Sequence, residues 1–272
     1  RYSAFSGCSG LTELTLPSSV TSIGDGAFAY CSGLAKITSL AEIPPVCGSN
    51  VFYGVDKTNC ELIVPEGSVA AYKQTKVWSE FRNIMGFVAF GRCGDSIIWT
   101  LDDSGNLTLS GSGEMWDYNK NDLPFKDSGI KTVTIKDGIT SIGDCAFYGC
   151  SGLTELTLPE SVTSIGDRSF AYGSGLTELT LPNSVTSIGD RAFAYCSGLT
   201  ELTLPNSVTS IGDCAFAYCS GLTELTLPSS VTSIGDYAFY GCSALTELTL
   251  PNSVKSIGRY AFQGCTGLTE LT

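Results

Sequence analysis

Leucine and polar residues alternate in a short phrase that recurs along the chain. In LTELTLP, which starts at Leu199, the leucines alternate with Glu201 and Thr203. Such alternation is typical of a β-strand with one buried and one exposed face. Pro205 follows directly, and proline ends a strand because it has no N–H group to donate. The phrase therefore predicts a short strand whose leucines lie in the core.

The residues after the proline predict the remaining sides of a coil. In NSVTSIG, Val208 and Ile211 are apolar and a β-branched threonine lies between them, which favours a short extended segment. Gly212 is expected to turn the chain. The next segment, AFAYC, is expected to form a helical turn that carries Phe216 inward.

The phrase belongs to an internal repeat with a spacing of 23 residues. Six full units run from 130 to 267, and another runs from Leu11 to Gly33. No single unit could bury its own Leu, Val, Ile and Phe side chains, so neighbouring units must stack into one continuous core. A leucine-rich unit of this length predicts a leucine-rich-repeat solenoid, a β-rich α/β fold of stacked coils.

The stretch from 34 to 129 interrupts the repeat and predicts two capping elements. VPEGSVAAYKQTKVWSEFRNIMGF predicts an amphipathic helix, with Ser68 as its N-cap and Tyr72 and Trp78 on its apolar face. DSIIWTLDDSGNLTLSGSG predicts a β-hairpin, because two apolar runs flank turn residues. The predicted domains are residues 1–87, the end of a first array with a helical C-terminal cap, and residues 88–272, a β-hairpin N-terminal cap followed by a second array.

These features resemble a known family. The phrase LPxSVTSIGxxAFxxCxxL resembles the BspA-like leucine-rich repeats of bacterial surface antigens. VPEGSVAAYKQTKVWSEFRNI resembles the family's C-terminal capping segment, and CGDSIIWTLDDSGNLTLSGSGEM resembles the lead-in to a fresh array. The resemblance implies a secreted or cell-surface protein whose relatives are linked to adhesion, including binding of host extracellular matrix and plasma proteins. It supplies no shared catalytic residues.

Composition narrows the classes of function. The formal net charge is −12, so nucleic acid and anionic membranes are poor partners. The chain has no histidine, which removes Ser–His and Cys–His nucleophile pairs and His metal ligands. No apolar run approaches the roughly 20 residues of a membrane-spanning helix. We therefore expect a non-catalytic protein with no cofactor and no membrane insertion.

The candidate partner-binding surface is the exposed side of the predicted main sheet, where Glu and Thr repeat. We call this surface the Glu/Thr face; it comprises Glu155, Thr157, Glu178, Thr180, Glu201, Thr203, Glu224, Thr226, Glu247 and Thr249. The simplest interpretation is a solvated acidic surface, and the alternative is a docking surface for a basic protein. A uniform row lacks the six to eight converging oxygens, roughly, of a tight Ca²⁺ site. No metal site is therefore expected.

The cysteines predict a buried ladder of thiols. Seven of the 12 share one repeat position: Cys8, Cys31, Cys150, Cys196, Cys219, Cys242 and Cys265. Equivalent residues lie one coil apart, so a disulfide between them would require distortion. A bond among the three non-repeat residues Cys47, Cys60 and Cys93 stays open.

Tyrosines form a second repeated row, at Tyr30, Tyr172, Tyr195 and Tyr218, with Tyr148 and Tyr240 one place earlier in their units. We expect these rings to pack across coil boundaries with their hydroxyls at the surface. Carbohydrate binding through this row is an alternative function. The position before AF varies from unit to unit, and we expect it to be exposed; at this position Arg168 and Arg191 could pair with Asp167 and Asp190.

The function predicted from the sequence is protein binding or adhesion at a bacterial surface. A passive spacer that presents another domain is the main alternative, since near-identical units suit a role in which only length matters. The partial units at both ends also predict end-to-end self-association, because an unpaired strand edge invites pairing with another chain.

Overall fold

The structure is a computed structural model that describes residues 2–125 and 129–271. It is a β-solenoid of about 11 stacked coils with few helices, which confirms the predicted leucine-rich-repeat architecture. The chain divides into two compact units, Arg1–Phe90 and Gly91–Thr272.

Six strands and one short helix lie wholly within the described residues of the first unit. In chain order these are β1 (Glu13–Leu16), β2 (Ser22–Ile23), β3 (Lys36–Ser39), β4 (Val46–Cys47), β5 (Glu61–Pro65), α1 (Val69–Gln74) and β6 (Asn83–Phe87). Parallel strands form a sheet in the order β1-β3-β5-β6, and β2 pairs with β4 on another side of the coils.

The predicted amphipathic helix is shorter than expected. Helix α1 spans 6 residues, and 3₁₀ turns at Glu66–Ser68 and Trp78–Glu80 flank it. Ser68 directly precedes α1 as predicted, but its side chain makes no capping hydrogen bond. Tyr72 and Trp78 are fully buried; Tyr72 donates to the carbonyl of Ala41 at 2.9 Å, and the Trp78 indole N–H donates to the carbonyl of Pro45 at 2.8 Å. The role of this segment as a cap stays a prediction.

The second unit is made of strands and turns. Its strands are β7 (Ala89–Arg92), β8 (Ile97–Leu101), β9 (Asn106–Gly111), β10 (Gly113–Glu114), β11 (Thr132–Ile135), β12 (Ile139–Ile142), β13 (Glu155–Thr157), β14 (Ser164–Ile165), β15 (Glu178–Thr180), β16 (Ser187–Ile188), β17 (Glu201–Thr203), β18 (Ser210–Ile211), β19 (Glu224–Thr226), β20 (Ser233–Ile234), β21 (Glu247–Thr249), β22 (Ser256–Ile257) and β23 (Glu270–Leu271). Strands β8 and β9 form the antiparallel hairpin that the sequence predicts.

The strands of the repeats form two sides of the solenoid, and only one of these sides is a continuous sheet. One side is an unbroken parallel sheet in the order β10-β12-β14-β16-β18-β20-β22. The other side is divided into β13-β11-β9-β8-β7 and β15-β17-β19-β21-β23. The strands of the Glu/Thr face are therefore continuous from β15 onward but separate from β13.

The segment expected to be a helical turn folds differently. Cys214 and Tyr218 have positive φ values of 56° and 60°, which interrupt any helix. As a result the N–H groups of Cys214, Phe216 and Tyr218 donate to carbonyls of the following coil, whereas those of Ala215 and Ala217 donate within their own coil. The prediction of a helical turn was wrong because every second N–H group of this segment donates to the next coil and not within the segment.

Phenylalanine stacking lies at the centre of the core, as the inward position of Phe216 predicts. Phe147, Phe170, Phe193, Phe216, Phe239 and Phe262 stack one above another with ring centroids 5.0 to 5.4 Å apart. Leu199, Val208 and Ile211 are buried around them. Stacked aromatic pairs add about 0.5–1.5 kcal/mol each beyond their area burial.

Candidate partner-binding face

Side chains of the Glu/Thr face point to solvent from a rigid sheet. All ten side chains are exposed, and the leucines between them are buried from β15 to β21. The strands alternate as the sequence predicts, because buried leucine forces its neighbours outward. Whether this surface binds a partner is a separate question.

The structure brings four of the five Glu/Thr pairs into one sheet. Glu178 lies opposite Glu201, and Glu224 lies opposite Glu247, with Thr203 and Thr226 in register between them. Glu155 and Thr157 lie opposite Thr132 and Thr134 instead, in the sheet that contains the hairpin. The continuous candidate surface therefore runs from β15 to β21.

Two shallow depressions mark the places where strand pairing is weakest. One of about 610 Å³ lies between β17 and β19 and is lined by Glu201, Thr203 and Glu224, among others. These two strands share one register pair. A second depression of about 490 Å³ is lined by residues of β13 and β15.

The acidic row is not neutralised by the chain itself. Within residues 2–125 and 129–271, no ion pair within 4.0 Å involves Glu178, Glu201, Glu224 or Glu247. Carboxylates on adjacent strands about 5 Å apart repel by roughly 0.8 kcal/mol in water. Across those same ranges, no group of three or more metal-ligating side chains lies close enough to hold an ion. The Glu row therefore concentrates negative charge along the exposed side of the sheet.

Aspartates form a structural ladder that sequence reasoning missed. Asp167 accepts the backbone N–H of Asp190 at 2.7 Å, and Asp190 accepts that of Asp213 at 2.8 Å. The recurring Gly-Asp pair was the available signal. No ion pair within 4.0 Å joins Arg168 or Arg191 to these carboxylates in the described chain, so the suggested pairing is not formed.

The variable position before AF has a left-handed backbone. Its φ is 54° at Arg168, 59° at Tyr237 and 56° at Tyr260. Arg191 and Tyr260 are exposed as expected, but Cys145 is buried. The predicted exposure was therefore wrong at Cys145, and Gly26, Arg168 and Cys214 are half-buried.

Most repeat cysteines form the predicted buried ladder. Cys31, Cys150, Cys196, Cys219 and Cys242 are buried, whereas Cys265 is partly exposed and Cys8 is exposed. Several donate weakly to the phenylalanine carbonyl of the preceding coil, as Cys219 does to Phe193 at 3.3 Å. Burial raises the pKa of Cys150, Cys196 and Cys242 to about 12. These thiols are inert packing groups, and Cys47, Cys60 and Cys93 are free as well.

The tyrosine row extends further than the sequence indicated. Seven tyrosine rings form a continuous series in which neighbouring ring centroids are 4.6 to 5.6 Å apart. We call this series the tyrosine band; it comprises Tyr148, Tyr172, Tyr195, Tyr218, Tyr240, Tyr237 and Tyr260. The rings pack across coil boundaries as expected. Partial desolvation and the neighbouring side chains of Tyr240 and Tyr195 raise the pKa of Tyr218.

The sequence of these coils matches a known repeat family. A model of the BspA type leucine-rich repeat region matches residues 1–74, 121–220 and 186–272. The chain belongs to the BspA type leucine-rich-repeat family. The BspA type repeats thus account for both the 23-residue spacing and the solenoid. A comparison with curated proteins gives no match.

Solved structures with similar coils are bacterial leucine-rich-repeat proteins. The T. pallidum leucine-rich-repeat protein is 28% identical over 63% of this chain and 87% of its own, with a TM-score of 0.54. A leucine-rich-repeat protein of Eubacterium ventriosum is 26% identical over 68% and 72%, with a TM-score of 0.37. A leucine-rich cell surface protein of Faecalibacterium prausnitzii is 21% identical over 96% and 78%, with a TM-score of 0.35. In the described part of the chain, no helix has the length and apolar character needed to span a bilayer.

Proposed function

We propose that the chain is a non-catalytic protein-binding module of a secreted or cell-surface bacterial protein, and that the Glu/Thr face is its binding surface. The observation that supports this most directly is the register of exposed carboxylates on strands whose leucines are buried. Repeat proteins commonly bind along an extended sheet surface of this kind. The proposed partner is a basic patch on a host extracellular matrix or plasma protein.

Charge supports a basic partner. The chain carries 27 acidic and 15 basic residues, and in its described part no ion pair within 4.0 Å involves Glu178, Glu201, Glu224 or Glu247. An exposed ion pair between one of these glutamates and a cation of the partner would stabilise the complex by only about 0–1 kcal/mol. Repetition along several coils lets such contacts accumulate and steers the approach of a cationic surface.

The test is binding of the purified chain to a panel of basic matrix and plasma proteins at two salt concentrations. The variant Glu201→Lys with Glu224→Lys reverses two neighbouring charges beside the larger depression. We expect it to weaken binding at least tenfold at low salt. Higher salt should weaken binding of the unaltered chain, because exposed charges are screened.

A matched control distinguishes the effect of charge on the Glu/Thr face from the effect of the net charge of the chain. Asp137→Lys with Glu160→Lys makes the same change in net charge at exposed residues that lie outside strands β13 to β21. The control should retain binding. Equal loss in both variants would mean that the Glu/Thr face is not the site.

The spacer hypothesis gives a different outcome. A passive spacer binds none of the panel, with or without charge reversal. The near-identity of the units favours it, whereas the uncompensated acidic row favours binding. An enzymatic role has little support, since the chain has no histidine and no unit carries a distinct nucleophile.

A further inference from the structure

The tyrosine band is a surface feature that the proposed function does not use. Tyr172, Tyr195 and Tyr218 are 43%, 40% and 40% exposed. Their rings stack in parallel, with centroids 4.6 Å apart at both steps and interplanar angles of 3° and 15°. A run of exposed aromatic side chains of this kind is uncommon on a surface that has no partner.

Two adjacent repeat positions can supply the ring of the band. Tyr172, Tyr195 and Tyr218 occupy a left-handed position, with φ between 60° and 66°, which is costly for a bulky residue. At the equivalent position, Gly149 and Gly241 adopt φ values of 75° and 72°. In those units the ring comes from the residue before, Tyr148 or Tyr240, and still contacts its neighbour in the band. The ring is thus retained although a different position of the unit supplies it.

The stacking determines which ring atoms a ligand can reach. Both faces of Tyr195 are covered, by Tyr172 on one side and Tyr218 on the other. Sugars stack on free aromatic faces, so this geometry does not favour the carbohydrate alternative. The groups left for a ligand are the ring edges and the hydroxyls, and the rings that carry them are evenly spaced by 4.6 Å from Tyr172 to Tyr218.

We propose that the tyrosine band binds a proline-rich segment in the polyproline II conformation. One turn of such a helix rises about 9.3 Å and therefore spans two ring steps of 4.6 Å almost without drift. The pitch of an α-helix is about 5.4 Å, and the two-residue repeat of a β-strand is about 6.7 Å. Neither repeat matches one or two ring steps, so both structures lose register with the rings.

Hydrogen bonding points to the same ligand. A polyproline II helix has no internal hydrogen bonds, so its carbonyls are available as acceptors. The tyrosine hydroxyls can donate to them, while the pyrrolidine rings pack against the ring edges. Aromatic side chains are the usual docking partners of proline-rich segments.

The test measures anisotropy of a fluorescently labelled ten-proline peptide against the full chain. A glycine–serine peptide of equal length is the negative control. Tyr195→Gly with Tyr218→Gly removes two rings at positions whose backbone glycine adopts elsewhere in this chain, so the fold is kept. Tyr195→Phe with Tyr218→Phe removes only the hydroxyls.

We expect saturable binding of the proline peptide, at least tenfold weaker in the glycine variant and severalfold weaker in the phenylalanine variant. Asp137→Ala with Glu160→Ala, at exposed residues outside both the tyrosine band and the Glu/Thr face, should leave this binding unchanged. The proposal is overturned by absence of binding up to millimolar peptide, by equal binding of the glycine–serine peptide, or by full binding in the glycine variant. Tyrosine-dependent binding of oligosaccharides without peptide binding would also overturn it and restore the carbohydrate alternative.

Discussion

Single residues show where one unit departs from the others. Ser169 occupies the position that is alanine in neighbouring units, such as Ala146 and Ala192. It is fully buried, and among the described residues its hydroxyl has no hydrogen-bond partner. An unsatisfied buried hydroxyl costs about 1–3 kcal/mol.

We predict that Ser169→Ala stabilises the protein by about 1–2 kcal/mol, because it removes an unpaired polar group. Chemical denaturation measures the change. Ser230→Ala is the control, because the Ser230 hydroxyl donates to the carbonyl of Val208 at 2.7 Å. The control should destabilise, and a destabilising Ser169→Ala would show that the hydroxyl has a partner.

The buried thiols predict that the free energy of unfolding depends on pH in the alkaline range. The folded-state pKa of Cys150, Cys196 and Cys242 is raised to about 12 from an ordinary value of 9.0. Above pH 9 the unfolded chain therefore loses these protons first, and the free energy of unfolding falls as pH rises towards 12. Each thiol contributes about 1.4 kcal/mol per pH unit.

Replacing these three cysteines by alanine should flatten the alkaline fall in the free energy of unfolding. Denaturation at pH 8, 9 and 10 measures the slope for both proteins. Cys8→Ala is the matched control, since Cys8 is exposed. An unchanged slope in the triple variant would contradict the assignment.

Strand pairing is decided at the scale of elements. Thr200 donates its backbone N–H to the carbonyl of Thr177 in the preceding coil at 2.8 Å, and the same bond recurs between other coils. Among the described residues no equivalent bond joins Thr177 to Thr154. This is the place where the Glu/Thr side divides between β13 and β15. The unit before the break also carries Ser169 and has Gly173 in place of the ladder cysteine.

We predict that the backbone amide of Thr177 exchanges with solvent at least tenfold faster than that of Thr200. The physical reason is the missing bond to the preceding coil. Hydrogen exchange followed by NMR measures both amides in one sample. The continuous sheet on the other side of the solenoid keeps its hydrogen bonds between these coils. There the N–H of Thr186 donates to the carbonyl of Thr163 at 2.9 Å, so the Thr186 amide should remain protected from exchange. Equal rates at the two threonines would show that the sheet is continuous.

Stacking has consequences for the whole molecule. Each coil covers apolar residues of its neighbour, so Ile234 and Leu248 are buried. Their counterparts one coil later, Ile257 and Leu271, are 48% and 61% exposed. End-to-end association was expected from the sequence and stays a prediction.

We expect the purified chain to associate reversibly as its concentration rises, because an open strand edge and exposed apolar residues favour pairing. Sedimentation velocity over a hundredfold concentration range measures this. Leu271→Lys should shift the equilibrium towards monomer, while Thr249→Lys, on the Glu/Thr face, should not. A single monomeric species at every concentration would contradict the expectation.

The repeat spacing and alternation of the sequence already determined the coil, the inward phenylalanines and leucines, and the outward Glu/Thr face. These follow from local periodicity, because each side chain's face depends on its neighbours along the chain. Tertiary structure alone decided the left-handed turns, the aspartate ladder, the buried Cys145, the extended tyrosine band and the break between β13 and β15. All five depend on hydrogen bonds and contacts between coils, which join residues about one repeat apart, so the periodicity of a single unit did not predict them.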